Sequence, residues 1–479
     1  MMAAARLIAR DEWRYWQRSK LLRAAAVLSL ILLVSAIAVT YDRVQAQAAQ
    51  RSELQAAAET AFTTQPDRHP HRMVHYGHYV FRAPPPLAVI DPGVDRVTGT
   101  ALFLEGHRQN SAAFPPAHAD ARSGALGHLT PAFVYQIILP LLLVLMAHGA
   151  LTREREGGTG IALVSSGVSA STLWAGKALA LLSAVGLLLV PLLLVSLGAA
   201  LAGESLPLVG VYFLAYALYL SIWALGTLAL SAAVTRSAVS LALALGAWAL
   251  VTLVLPPTTS SLVRATLPTA SRLADDVALA QELRSLGDGH NENDPAFSRL
   301  RANLLEEYEV ERVEDLPVNF RGVVAQSAEA DLTELMNRYA DQRHAYEQRQ
   351  ARRLSTFGLL SPQLALRQFS RVGAGTDLAT HHRFLQEGEA ARFALVQQLN
   401  GLHANELRYT DDINRSRNAA AERRSRISAH HWRDLESFHF EVASAPARLA
   451  SAAPSLLALI LWGALTAFAS LTVTRRSYG

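Results

Sequence analysis

The chain has 479 residues, 51% of them apolar, with 44 basic side chains against 40 acidic ones and no cysteine. Without cysteine there is no disulfide framework, no thiolate chemistry and no cysteine-ligated metal. A chain of this length holds several domains, so the distribution of its apolar residues decides its class.

Residues 1–20 set Glu12, Trp13 and Trp16 among Arg10, Arg14 and Arg18. Tryptophan with arginine on one helix suits the membrane interface, so an amphipathic helix lying at that interface is predicted. Residues 21–41 form the first of six apolar runs nearly free of charge, the others being 131–150, 174–202, 206–234, 238–256 and 449–473. A hydrocarbon core about 30 Å thick needs roughly 20 apolar residues at the helical rise. Six membrane-spanning helices are therefore predicted. The chain reads as a mainly α polytopic membrane protein with two polar insertions at 42–130 and 257–448.

Within the first insertion, an Ala/Gln-rich stretch at 42–64 is predicted to prolong the first span, and 69–110 reads as loop and short extended structure because prolines and glycines break it. The second insertion shows helical spacing at 271–286, 295–311, 325–355 and 376–416, which predicts a bundle of antiparallel helices. Basic residues near the span ends lie before the first span, in the 151–173 connection and Lys177, at Arg236, and in the tail 474–479 at Arg475 and Arg476. All four places fall on one side of six alternating helices, and by the charge rule that side is cytoplasmic. Both insertions are then periplasmic, and the membrane is the bacterial inner membrane.

Energy has no evident entry point within the spans. Glu204 is the only acid between residues 157 and 274, whereas ion-coupled carriers keep carboxylates within the membrane. Gly176-Lys177 is followed by Ala178 and lacks the leading glycine of a phosphate-cradling loop. A serine protease is equally unsupported, since Ser169 has no activating base within its own stretch. Tyr212, Tyr216 and Tyr219 at helical spacing read as helix packing rather than a substrate path, and Pro140 and Pro191 are expected to kink their spans.

After the second span comes Arg153-Glu154-Arg155-Glu156-Gly157-Gly158-Thr159, then a short apolar-faced segment, then Lys177 at the start of the third span. This stretch resembles the coupling loop of ABC-2 type permeases, and the N-terminal helix and the brief turn at Arg236 resemble the same family. The insertions resemble a branch of that family with a large extracytoplasmic domain of unknown function. The matching stretches are residues 75–81, Asp91-Pro92-Gly93, residues 105–110, residues 316–320, Ser361-Pro362 and Gly375-Thr376-Asp377.

The resemblance implies a non-catalytic permease subunit whose separate ATP-binding subunit binds ATP and Mg, so that no cofactor belongs to this chain. It implies a second permease copy or paralogue and membrane lipid as further partners, a periplasmic partner as a candidate, and no nucleic acid. Glu154 and Glu156 would pair with basic residues of the ATPase groove, and the glycines would permit the turn. An alternative function is mechanotransmission, in which ATP moves the periplasmic bundle to actuate a partner without moving a substrate. Of the 16 histidines, His69, His71, His75 and His78 crowd one segment. Their spacing lacks a structural-zinc pattern, so no metal is assigned and these four stand only as the candidates.

Overall fold

The computed structural model describes residues 2–113, 129–268, 271–433 and 438–478, so residues 114–128 of the first insertion lie outside it. Helix α1 (Met2–Arg18) buries Ala5, Ala9, Glu12 and Trp16 along one face and leaves Arg10, Arg14 and Arg18 exposed on the other. Ser19 then breaks the helix and caps the next, its hydroxyl accepting from the Leu22 amide at 3.3 Å. Helix α2 (Lys20–Thr63) is one uninterrupted rod of 44 residues. At 1.5 Å per residue it is about 66 Å long, twice the thickness of a bilayer core, so its second half carries the chain well clear of the membrane.

Among the described residues, six helices are long and apolar enough to span a membrane. The second span, α4, starts at Pro131–Phe133, passes through a π-helical turn at Val134–Ile138 and continues as Leu139–Ala147, preceded in the chain by a short helix α3 (Pro70–Tyr76). Two short helices, α5 (Thr152–Glu156) and α6 (Thr159–Ser165), link it to α7 (Ala170–Leu201). Then follow α8 (Leu206–Ala233) and α9 (Ser237–Thr266), the latter with a π-helical turn at Leu250–Val254. Helix α9 continues past the predicted end at residue 256, through Pro256 and Pro257, which closely follow the π-helical turn.

The insertions form one structure. A two-stranded antiparallel hairpin, β1 (His78–Phe81) and β2 (Ala101–Leu104), pairs Val80 with Leu102. The second insertion supplies α10 (Arg272–Leu283), α11 (Ser298–Glu307), α12 (Phe320–Thr356), α13 (Pro362–Ala374) and α14 (Leu378–Glu406), before the last span α15 (Ala445–Tyr478). Hairpin residues Val80, Leu102 and Leu104 share an apolar cluster with Phe384 and Phe440, while Phe62, Met73 and Val74 share another with Val396, Leu399 and Trp432.

Three sequence expectations need correction. Residues 70–76 form a helix rather than loop, because His69 and Pro70 supply its cap and first position. The predicted helix at 376–416 ends at Glu406, where Leu407 turns extended. Helix α13 lies at a place where the sequence spacing predicts no helix. Its Leu366, Phe369 and Val372 sit in the same apolar core as the spans, packed against α8 and α15.

Two wholly buried tyrosines, Tyr219 of α8 and Tyr135 of α4, bond the backbone beside the prolines of α4 and α7. Pro140 has no amide to bond the Gln136 carbonyl, and the Tyr219 hydroxyl donates to that carbonyl at 2.6 Å. At Pro191, the Tyr135 hydroxyl donates to the Leu188 carbonyl at 2.9 Å and accepts from the Leu192 amide at 3.1 Å, so it is inserted into the helical ladder.

Candidate functional site

The terminus-bearing end of the spans carries a four-membered ion network. Glu12 accepts from Arg153 at 2.7 and 2.9 Å and from the Lys177 ammonium at 2.6 Å; that ammonium also reaches Glu154 at 2.6 Å. The order Arg153, Glu12, Lys177, Glu154 alternates in sign, so every charge has opposite neighbours. Glu12 and Lys177 are each 1% exposed. Such a buried charge is tolerable only with partners of this kind.

Lys177 lies two turns inside α7 rather than at its start, since that helix begins at Ala170, where Ser169 caps it with a hydroxyl accepting from the Thr172 amide. Its neighbour Gly176 allows α1 to approach closely: a β-carbon there would lie 2.6 Å from Ile8 and 2.9 Å from the Ala5 carbonyl. Trp13 donates to Ser183 at 2.9 Å and Trp16 to the Met146 carbonyl at 3.2 Å. Helix α1 is thereby fastened to both α4 and α7, with Arg10, Arg14 and Arg18 left to face outward.

The next two residues grip the turn between α8 and α9. The Arg155 guanidinium donates to the carbonyls of Ala232, at 2.6 Å, and Val234, at the end of α8. Glu156 accepts from the Ser237 amide at 2.8 Å and its hydroxyl at 2.6 Å, at the start of α9. A cation at a helix C-terminus and an anion at a helix N-terminus both suit the helix dipoles. Ser231 adds to the joint by accepting the amides of Leu151 and Thr152 at 3.0 and 3.2 Å.

Glu154 and Glu156 are thus engaged within the chain, unlike the free acids expected from the sequence. What the loop leaves exposed is the turn at Gly157, Gly158 and Thr159 and the apolar side of α6, where Ile161 is 76% and Val164 44% exposed. Gly158 adopts φ +71°, which favours glycine, and Thr159 is tied back to Glu154 through its hydroxyl. The result is a short helix with a naked apolar edge on a base bonded to the spans α7, α8 and α9 and to α1.

The sequence model of the ABC-2 family transporter proteins matches residues 6–286, and that of a domain of unknown function, DUF3526, matches residues 276–441. The first covers more than half of the chain. This protein belongs to the ABC-2 transporter family. No curated protein matched it. The permease is therefore a multi-pass membrane protein of a family that works with an ABC ATP-binding subunit.

At the opposite end of the permease, family-like stretches meet at a buried polar joint. The Ser370 hydroxyl of α13 donates to Asp91 at 2.6 Å and lies 2.7 and 2.8 Å from the Tyr212 and Tyr216 hydroxyls. With its one proton given to Asp91, Ser370 accepts from both tyrosines. Thr376 donates to the Asp91 carbonyl at 2.9 Å, and a β-carbon on Gly93 would strike the Thr376 carbonyl at 2.1 Å. Beside it, Arg448 pairs with Glu204 at 2.5 and 3.0 Å and donates to the Gly373 carbonyl at 2.9 Å. The first insertion, α13, α8 and α15 are locked at this point.

The four candidate histidines separate. His71 and His75 face each other across one turn of α3. His69 instead caps that helix, accepting from the His71 amide, and lies 3.1 Å from Asp412. Burial pulls His69 down to about 4, even though Asp412 favours its proton. Asp412 is also 2.7 Å from His403 and 2.7 Å from Arg415. Burial works against its charge, but hydrogen bonds from His403 and His69 hold it well below the usual carboxylate range. In this trio the Asp412 carboxylate already has a guanidinium beside it, that of Arg415. His78 sits on β1 against Phe62. His107 and His290, which the sequence did not single out, lie next to His71 and His75. Only the fold brings together residues so far apart in the chain.

Proposed function

We propose that this chain is the transmembrane subunit of an ATP-driven transporter that exports or extracts a substrate across a bacterial inner membrane. A separate ATP-binding subunit, carrying ATP and Mg, supplies the energy, and both termini and the 151–173 connection lie on the cytoplasmic side. The observation that carries this reading is the exposed apolar edge of α6 on a base tied by ion pairs and hydrogen bonds to α1, α7, α8 and α9. A lever of this build transmits force because its foundation spans most of the bundle. Residues Arg153, Glu154, Arg155, Glu156 and Lys177 act as positioning residues for it, and Gly157, Gly158 and Thr159 shape the turn that meets the partner.

A second permease copy or paralogue completes the unit in this reading. The spans α2, α9 and α15 bury only 22%, 17% and 17% of their most apolar windows within the chain, which leaves faces for lipid and for that copy. The alternative, an ATP-driven mechanotransmitter, draws support from the Asp91–Ser370 joint, which ties the spans to the large insertion. Replacing Ile161 and Val164 with Glu tests the docking surface, since neither makes a specific bond that folding needs. Membrane insertion and thermal melting should be unchanged, while co-purification with the ATPase and ATP-dependent substrate movement in liposomes are lost. Full co-purification and transport by this double variant would reject the assignment. Wild-type ATP turnover that shifts the insertion but moves no substrate would favour the alternative.

A further inference from the structure

His71 and His75 of α3, His107 in the turn after β2, and His290 in the loop after α10 come from three separate stretches of chain. One ring nitrogen from each lies within 4.8 Å of the others. The His75 Nε2 is 3.2 Å from the His71 Nε2 and 3.4 Å from the His290 Nε2. A neutral imidazole nitrogen is either a donor or an acceptor, along one in-plane direction. The His75 Nε2 cannot make good hydrogen bonds to two neighbours at once. A tetrahedral zinc with Zn–N of about 2.0–2.1 Å requires nitrogens separated by about 3.3–3.4 Å; the His75–His290 separation falls in that range and the His71–His75 separation lies about 0.1 Å below it.

The surroundings orient the ligands. The His107 Nδ1 is 2.9 Å from Glu329, leaving its Nε2 buried without a partner. Glu329, itself 0% exposed, is fixed by Arg392 at 2.5 Å and also accepts the His107 amide at 3.2 Å. The His290 Nδ1 is 3.2 Å from Asp288. Carboxylates on the far nitrogen are how proteins set the tautomer and direction of a metal-ligating imidazole. His107 is at φ +64°, an uncommon backbone conformation for a residue other than glycine, in the tight turn closed by the Glu105–Arg108 bridge.

We propose that His71, His75, His107 and His290 form a binding site for one imidazole-preferring divalent cation of the zinc type, with Glu329 and Asp288 as its outer carboxylates. Four protein ligands make a closed, structural kind of site. It links the first insertion to the second, and the exposed His75 and His290 leave it open to exchange with solvent. The proposal is independent of the transport reading, because it is read by metal binding alone.

The test uses the full-length permease in detergent, stripped with a chelator and titrated with Zn2+ against a chromophoric competitor. One equivalent per chain should bind. The His75→Ala, His290→Ala double variant removes two exposed ligands and should weaken binding at least 100-fold, and Asp288→Asn should weaken it about 10-fold. His78→Ala should bind as wild type. Co2+ in place of Zn2+ should give the visible absorption of a four-coordinate ion. Zinc binding unchanged in the double variant, or no stoichiometric binding by wild type at micromolar Zn2+, would overturn the site.

Discussion

Lys177 is the residue on which the terminus-bearing end converges. It neutralises two carboxylates on separate segments, so removing it leaves Glu12 and Glu154 facing one another without their shared cation. Breaking a buried pair in this way costs about 3–5 kcal/mol. Lys177→Met should therefore lower the melting temperature of the detergent-solubilised protein and expose the connection after α4 to protease. Glu12→Gln, which removes one of the two anions, should be milder. Equal melting of Lys177→Met and wild type would show that the ion network contributes nothing. Reversing Glu154 and Glu156 to Arg together should likewise destabilise the permease itself, because it opposes Glu154 to Lys177 and strips the cap from α9. Loss of ATPase binding in that variant would thus report structure as well as docking, which makes the exposed Ile161 and Val164 the cleaner probes.

Among the elements, the spans were plain in the sequence because a bilayer demands a run of apolar residues whatever the tertiary packing. Their ends were less plain: α9 and α15 continue beyond the apolar runs as ordinary amphipathic helix, and α2 continues as an Ala/Gln-rich rod. Helix α13 had a readable start in Ser361-Pro362 and a readable stop in Gly375, at φ +70°, but its packing among the spans was hidden. A 13-residue helix is too short to span, and its packing on α8 and α15 is what shows that it enters their apolar core. The charged loop was legible as a unit, while its internal pairing was not, since the partners Glu12, Ser231 and Ser237 lie far along the chain. The prolines of α4 and α7 offer a test at this scale. Tyr135→Phe deletes the hydroxyl that serves Leu188 and Leu192 and should cost about 1–3 kcal/mol, read as a lower melting temperature. Adding Pro191→Ala lets the ladder re-form and should recover part of the loss; no recovery would mean that the tyrosine acts elsewhere.

For the whole molecule, the two family matches divide the sequence near residue 280, yet the fold does not divide there. The hairpin of the first insertion is covered by α14, and the Asp91 joint needs Ser370 and Thr376. The same extramembrane unit carries a buried histidine group with a definite pH response. Burial, aided by the neighbouring His382, pulls His344 down to about 4, and burial with Arg82 nearby does the same to His381. Glu347 accepts from His382 at 2.6 Å, and Arg343 and Asp341 complete the charged surroundings. Because the folded values lie below 6.5, the unfolded chain binds more protons between about pH 6.5 and 4. Stability is full above that window and is lost as the pH falls through it, by at most about 1.4 kcal/mol per unit for each group. Melting should fall steadily from pH 7 to pH 4.5, and His344→Gln should flatten the slope. An unchanged slope in that variant would exclude His344 as a contributor.

The interlock of the two insertions also sets a timetable for synthesis. Residues 42–113 leave the ribosome long before α14 exists, so Val80, Leu102 and Leu104 have no Phe384 to cover them, and Asp91 has no Ser370. At about 5–20 residues per second, the interval amounts to tens of seconds, during which four further spans must be threaded into the bilayer. Throughout it the first insertion stands with an open apolar face and a half-built polar joint. The first insertion therefore gains its apolar cover and completes its polar joint only once the last third of the chain has been translated.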